Sequence, residues 1–286
     1  MTIAKKKKKA NGSLLQRYAA APHIVWAILF VIAPLIFVAY YAFTDTVDGK
    51  IIFSIENIKE FFTVEYLTIF GRSVSLAFIS TVICLILGYP IAYFISRTKP
   101  KTQRLLILLI MLPMWMNFLI RTYAIMVLIQ DTGIINTFLG NFKIPPINIF
   151  GTEAAVVLGM VYDYLPYMIL PIYSVMAKLD YKLVEAASDL GCNGFKVMTK
   201  VIFPLSLSGV ISGITMVFVP SISTFYISQK LGGPSTLLIG DVIEQSYNAS
   251  NYHLTAALSF VLMIILLIGL AIMNKYTDAD DGGMLI

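Results

Sequence analysis

The sequence predicts an all-α polytopic membrane protein with six transmembrane helices. Of its 286 residues, 58% are hydrophobic and 13% are charged, and the mean hydropathy is +0.81. A water-soluble domain of this length has too little interior to bury that much apolar surface. Apolar runs of about 20 residues, the length that spans a hydrocarbon core of about 30 Å as a helix, recur between polar connectors. The predicted spans are Ile24 to Phe43, Val74 to Ile95, Leu105 to Leu128, Ala154 to Met176, Leu205 to Tyr226 and Leu254 to Met273.

The first apolar run follows a basic segment, a combination that also occurs in secretory signal peptides. Lys5 to Lys9 precede it, but the run is longer than the apolar part of a signal peptide, and the small residues Ala19 to Ala21 lie before it. We therefore predict an uncleaved span. The chain then divides into a basic N-terminal segment (1–23), a six-helix transmembrane domain (24–273) and an acidic tail (274–286).

The lysines and arginines predict the orientation, because these residues concentrate in cytoplasmic connectors. With the N-terminus inside, 15 of the 21 lie on the cytoplasmic side: six in residues 1–23, four in 96–104, four in 177–200 and one in the tail. Five lie in the opposite connectors, and Arg121 lies within a span. Both termini and the connector 177–204 are therefore predicted to be cytoplasmic.

The sequence lacks the patterns of common active sites. It contains no G-x-x-x-x-G-K-[ST] phosphate loop, no H-E-x-x-H zinc site and no G-x-S-x-G nucleophile. Cys84 and Cys192 are far apart, and His23 and His253 have no metal-ligand spacing. We predict no catalytic residue, metal site or cofactor in this chain. An ATP-driven role therefore requires another polypeptide to bind the nucleotide.

The connector between the fourth and fifth spans predicts a helix, a sharp turn and a second helix. Asp180 is suited to cap a helix that begins at Tyr181, and Gly191 is suited to the left-handed conformation that ends it. After Gly191 a second amphipathic segment leads to Pro204, where the fifth span begins. Geometry alone also permits a helix that rests on lipid headgroups. The first helix carries an apolar stripe of Leu183, Ala186, Ala187 and Leu190, and the second segment carries Phe195, Val197, Met198 and Val201.

The spacing in this connector resembles the EAA loop of ABC importer permeases. In residues 185–204 the order is Glu-Ala-Ala, three residues, glycine, nine residues and Val-Ile-Phe-Pro, where the usual pattern ends in I-x-L-P. The resemblance implies the type I ABC importer permease fold, with a cytoplasmic coupling helix in the loop 177–204 that docks into a groove of a separate ATPase. The residues implied in coupling are Glu185, Ala186, Ala187, Asp189, Leu190, Gly191 and Pro204.

Further stretches are similar to one branch of that family, the spermidine/putrescine importer permeases of the PotB type. This resemblance implies a polyamine substrate and a location in the bacterial cytoplasmic membrane. It also implies a second permease as heterodimer partner, two copies of an ABC ATPase that bind ATP and magnesium, and an extracytoplasmic polyamine-binding protein, with no nucleic acid. The stretches are LGYPIAYFIS (87–96), LPMWMNFLIRTY (112–123), GMVYDYLPYMILPIYSVMAKLD (159–180) and FYISQKLGGPSTLLIGDVIEQ (225–245).

Two charges lie within predicted spans, where ionised groups are costly and usually either paired or functional. Arg121 shares a helical face with Asn117, and Asp163 lies in the fourth span. One alternative is that Arg121 and Asp163 pair with each other or with the partner permease. The other is that Asp163 touches the substrate, because protonated amines are complementary to carboxylates, aromatic faces and carbonyls.

Aromatic and polar residues near these charges extend the predicted substrate pathway. Trp115 lies inside an apolar run, where packing and pathway are equal alternatives. Phe225 and Tyr226 end the fifth span, where a gate and ordinary packing are the alternatives. The predicted pathway residues are Asp163, Tyr162, Tyr164, Tyr167, Trp115, Asn117, Phe225 and Tyr226.

Three residues of the fifth span, together with Arg121, are predicted to be structural or gating. Pro220 is followed by hydroxyl side chains, a pattern that predicts a kinked helix beside a polar path. Gly209 and Gly213 form a G-x-x-x-G pattern, which permits close contact either within the bundle or with the second permease.

The leading interpretation is a polyamine permease subunit that has no transport activity on its own, and the sequence is compatible with two other functions. One is an ABC permease for another small solute. The other is a secondary transporter driven by an ion gradient through Asp163 and Arg121. An intramembrane enzyme is disfavoured, because no nucleophile and base occur at a workable spacing.

Overall fold

The computed structural model describes residues 22–47, 49–234 and 236–283. Most of the predicted basic segment and the last three residues of the predicted tail lie outside these ranges. In the described part of the chain, helices are accompanied by one antiparallel hairpin of strands β1 (Thr44–Val47) and β2 (Lys50–Phe53). The helices are α1 (Pro22–Ala42), α2 (Glu56–Phe61), α3 (Val64–Ser96), α4 (Pro100–Met111), α5 (Phe118–Ile129), α6 (Ile134–Asn141), α7 (Glu153–Met176), α8 (Tyr181–Asp189), α9 (Gly194–Leu205), α10 (Leu207–Ile222), α11 (Tyr226–Leu231), α12 (Ile239–Asn248) and α13 (Tyr252–Gly283).

Five segments among the described residues are long and apolar enough to cross a membrane. They are α1, α3, α7, the first 22 residues of α13, and α5 together with α6. A sixth crossing results when α9 and α10 count as one bent span. The predicted all-α membrane fold with six spans is therefore confirmed, although the third and fifth predicted spans have the wrong bounds and α3 begins ten residues before the predicted second span.

The third predicted span, Leu105 to Leu128, is not one helix. α4 ends at Met111, and a 3-10 turn at Leu112–Trp115 separates it from α5. Pro113 has no N–H to donate to a continuing helix. The Asn117 side chain then accepts a hydrogen bond from the Leu119 N–H at 2.8 Å and caps α5. The long apolar segment consequently runs from α5 into α6.

The fifth span begins at a bend rather than at Pro204. α9 and α10 meet at 69° around Ser206, which is fully buried. The Ser206 hydroxyl donates to the Phe203 carbonyl at 3.0 Å and lies 3.0 Å from the Tyr89 hydroxyl of α3. Pro204 therefore belongs to the segment before the bend. The part of the predicted span from Leu205 to Tyr226 that follows the bend is α10, which ends two residues after Pro220, and the crossing requires α9 as well.

The core is built around α7, which packs against α3 and α10 and buries Met160, Met168 and Ile172. The two glycines of the G-x-x-x-G pattern face this helix. A Cβ on Gly209 would lie 2.9 Å from the Pro171 carbonyl oxygen, and one on Gly213 would lie 2.8 Å from the Met168 sulfur. Of the two alternatives that the sequence left open, the structure has the contact within the bundle.

Candidate translocation and coupling sites

A buried ion pair joins α5 to α7. The Arg121 side chain is 6% exposed and the Asp163 side chain is 0% exposed. Arg121 Nε donates to Asp163 Oδ1, and the Thr122 hydroxyl donates to Oδ2 at 3.1 Å. Both carboxylate oxygens are thus hydrogen-bonded and the two charges cancel, which satisfies the conditions under which ionised groups are tolerated inside a bundle.

Arg121 also contacts the break between α4 and α5. Its Nη1 donates to the Pro113 carbonyl at 3.1 Å, and its guanidinium carbon lies 5.9 Å from the centre of the Phe118 ring. One side chain therefore fixes the 3-10 turn, the start of α5 and the middle of α7 relative to one another. Sequence reasoning missed Thr122, for which the only signal is its position beside Arg121.

The predicted pathway residues do not form one cluster. Asp163 and Tyr164 are buried in the bundle, whereas Tyr162 and Tyr167 are 46% and 37% exposed on the same helix. Trp115 is 75% exposed at the break between α4 and α5. Asn117 is exposed beside it as the cap of α5. The exposed aromatic groups of α7 and the buried carboxylate therefore face different surroundings.

The two aromatic residues after α10 also separate. Tyr226 begins α11 and lies with its ring 6.2 Å from the Phe118 ring. Phe225 is 40% exposed and lines a mainly apolar cavity of about 560 Å³ between α12, α13 and the segment that follows α10. Tyr226 thus packs near the ion pair, and Phe225 lies on another side of the bundle.

The coupling loop has the predicted local geometry. The Asp180 side chain accepts a hydrogen bond from the Lys182 N–H at 3.0 Å and caps α8. Gly191 has a φ of +79°, the left-handed conformation that glycine adopts without steric cost. Helix, sharp turn and helix are therefore present, and the side of the membrane on which they lie stays a prediction.

α8 packs through a narrow edge. Ala187 is 9% exposed and joins the core with the half-buried Val184. The rest of the apolar stripe is open: Leu183 is 48% exposed and Leu190 is 85% exposed. Phe195, after the turn, is 77% exposed. We name the exposed set Leu183, Glu185, Ala186, Leu190 and Phe195 the coupling face.

The model of the family of binding-protein-dependent transport system inner-membrane components matches residues 85–279, which include the ion pair and the coupling face. The chain belongs to this family. It is an ABC importer permease and has close relatives. The spermidine/putrescine transport system permease protein PotB of Haemophilus influenzae is 40% identical to this protein, and the alignment covers 90% of this chain and 92% of that protein. PotB of Escherichia coli K12 is 36% identical over 84% of this chain and 90% of that protein.

Solved structures of other importers share the permease fold. A chain of a bacterial alginate ABC transporter, solved with an alginate pentasaccharide-bound periplasmic protein, aligns with a TM-score of 0.76. It is 13% identical, and the alignment covers 92% of this chain and 93% of that one. A chain of the inward-facing methionine transporter MetNI aligns with a TM-score of 0.57 at 15% identity, over 75% of this chain and 95% of that one. At these identities the likeness establishes the type I importer fold alone.

Proposed function

We propose that this permease forms, with a second permease subunit, the translocation path for polyamines such as spermidine and putrescine. The support comes from relatives named as spermidine/putrescine transport permeases, which are 35–40% identical to this protein across about 90% of the chain. In this proposal an extracytoplasmic binding protein delivers the polyamine. Two ABC ATPase subunits bind the ATP and magnesium, and both termini lie in the cytoplasm of a bacterial cell.

The observation that carries the energy coupling is the coupling face. Leu190 and Phe195 are large apolar residues at 85% and 77% exposure on a rigidly capped helix and turn. An apolar patch of this kind, beside the exposed carboxylate of Glu185, is typical of a docking surface for another protein. Movement of a docked ATPase is passed through α9 and the 69° bend into α10.

The ion pair has a positioning role in this proposal. Asp163 is fully buried and paired, so we assign it and Arg121 to holding the α4–α5 break against α7 rather than to touching the substrate. The exposed aromatic and amide groups supply the surfaces that protonated amines contact. The residues proposed to line or gate the path are Tyr162, Tyr167, Trp115, Asn117 and Tyr226, with Tyr164 as buried support. Phe225 lies on another side of the bundle and is not assigned to the path.

Reconstitution of the whole complex in proteoliposomes tests the proposal. The wild-type complex is expected to import radiolabelled spermidine only with ATP and the binding protein. Glu185→Lys reverses the charge on the coupling face and is expected to lower import at least about tenfold, the equivalent of about 1.4 kcal/mol of coupling. Glu56→Lys makes the same reversal in the first turn of α2 and is expected to leave ATPase association unchanged.

Two outcomes contradict the proposal at different levels. Uptake by the purified chain with an ion gradient and no ATP overturns the assignment of coupling to the coupling face and supports a secondary transporter. ATP-driven import of another solute, with polyamines excluded, retains the coupling mechanism and replaces the substrate.

A further inference from the structure

A groove lies between α7 and α10, away from the ion pair and the coupling face. It encloses about 560 Å³. Four of the residues that line it carry hydroxyl groups: Tyr167 and Ser174 on α7, and Ser208 and Ser212 on α10. Among the described residues that line the groove, none is acidic or basic. The groove therefore combines hydroxyl groups with a mainly apolar lining and carries no charged side chain among the described residues.

Two backbone carbonyls of residues that line the groove lack their regular helical partner. In a regular helix each carbonyl accepts the N–H four residues later, and proline has no N–H. Pro171 thus removes the regular partner of the Tyr167 carbonyl, and Pro220 removes that of the Met216 carbonyl. Tyr167 and Met216 both line the groove, so the two interrupted positions lie on the two helices that form it.

We propose that this groove binds a protonated amine of the substrate during its passage, through neutral hydroxyl and carbonyl oxygens. The inference rests on the proposed polyamine function and names the site of contact. An alkylammonium group has N–H donors and no acceptor, so it needs acceptors alone. The Tyr167 ring, 37% exposed, adds an aromatic face for the cation, and Leu170, Val175 and Met216 contact the methylene segments.

Neutral oxygens suit transport better than a carboxylate does. A permeation site has to bind strongly enough to admit the ion and weakly enough to release it. Asp163 lies one helical turn before Tyr167, but Arg121 and Thr122 occupy both of its oxygens. The Asp163 carboxylate therefore has no free oxygen for the ammonium group of the substrate. The groove provides hydrogen-bond acceptors without a fixed negative charge.

A pair of proline variants tests the groove. Pro171→Ala restores an N–H to the Tyr167 carbonyl, whereas Pro90→Ala makes the same chemical change for Ile86 of α3, which is not among the residues that line the groove. In the reconstituted complex, Pro171→Ala is expected to lower ATP-driven spermidine import about fivefold, because the ammonium loses an acceptor. Pro90→Ala is expected to import at the wild-type rate. Both variants should retain ATP hydrolysis stimulated by the loaded binding protein.

A second variant removes acceptors without touching a proline. Ser208→Ala combined with Ser212→Ala is expected to lower import about fivefold as well. Ser75→Ala, which changes an exposed serine of α3, is the control. The proposal that the groove binds the substrate is overturned if the serine double variant imports at the wild-type rate and the two proline variants have equal effects. That result leaves the proposed function intact. A wild-type complex that imports no polyamine overturns both.

Discussion

Charged groups have opposite surroundings in the ion pair and on the coupling face. Inside the bundle, Arg121 and Asp163 are at most 6% exposed, and both carboxylate oxygens have partners within the chain. On the coupling face, Glu185 is exposed among apolar side chains as open as Leu190, at 85%. A buried charge needs a counter-charge and hydrogen-bond partners from its own chain. An exposed mixture of charged and apolar side chains is instead suited to binding another chain.

The largest effect is expected when the ion pair is broken. Asp163→Asn leaves the Arg121 charge buried without a counter-charge, which costs about 3–5 kcal/mol of stability. Unfolding of the detergent-solubilised complex, followed by intrinsic fluorescence against temperature and denaturant, measures the loss. Arg121→Met combined with Asp163→Leu removes both charges and is expected to recover most of it. A loss of stability below about 1 kcal/mol for Asp163→Asn alone would contradict the positioning role of the ion pair.

A second buried carboxylate, which is held by hydrogen bonds, sharpens the comparison. Asp241 of α12, in the connector between α10 and α13, is 2% exposed and accepts hydrogen bonds from the Leu238 N–H at 2.8 Å and the Ser228 hydroxyl at 2.9 Å. Burial raises the pKa of Asp241 to about 6, and these hydrogen bonds only partly offset the effect. Its charge is therefore a cost to the folded state at neutral pH.

The sign of the pH dependence follows from that raised pKa. As pH rises, Asp241 loses its proton at a lower pH in the unfolded chain than in the folded protein. Its contribution to the free energy of unfolding is therefore most favourable below the unfolded pKa and is lost as pH rises through about 6. Asp241→Asn is therefore expected to gain stability over the wild type at about pH 7.5, and that advantage shrinks by about 1.4 kcal/mol at about pH 5. Melting curves of both proteins across this range measure the difference, with Glu244→Gln on the same helix as control. An advantage that stays constant with pH contradicts the assignment.

The smallest effect on stability is expected on the coupling face. Leu190→Asp alters a side chain that is 85% exposed, so stability should change by no more than about 0.5 kcal/mol while ATPase association weakens. Ala187→Asp, on the same helix, introduces a charge at a position that is 9% exposed and should destabilise the protein markedly. Co-purification of the ATPase and melting curves separate the two outcomes. Equal destabilisation by both changes would mean that α8 packs within the chain.

Local chemistry was predictable wherever the responsible residues lie close in sequence. The cap at Asp180 and the turn at Gly191 follow from the intrinsic preferences of these residues, and the spans follow from apolar length. The break before α5 was missed because Pro113 and Asn117 interrupt an otherwise continuous apolar run, and hydropathy averages over both.

Contacts between distant segments were not predictable from one sequence. The pairing of Arg121 with Asp163 was one of two alternatives, and the contact from Thr122 joins residues 41 positions apart. The groove between α7 and α10 depends on which faces of two helices meet, and the spacing of Gly209 and Gly213 left the partner of that contact open.

The ion pair also sets a requirement on how the chain enters the bilayer. α5 has 12 residues, about 18 Å of helix, and an unpaired arginine near its start costs about 2.5–3.5 kcal/mol in the membrane centre. Its counter-charge emerges from the ribosome only after a further 42 residues. We therefore expect α5 to be retained beside the insertion machinery until α7 arrives, so that the two enter together. Ribosome-bound chains truncated before residue 163 should leave α5 accessible to water-soluble thiol probes at introduced cysteines, whereas chains that include α7 should protect it.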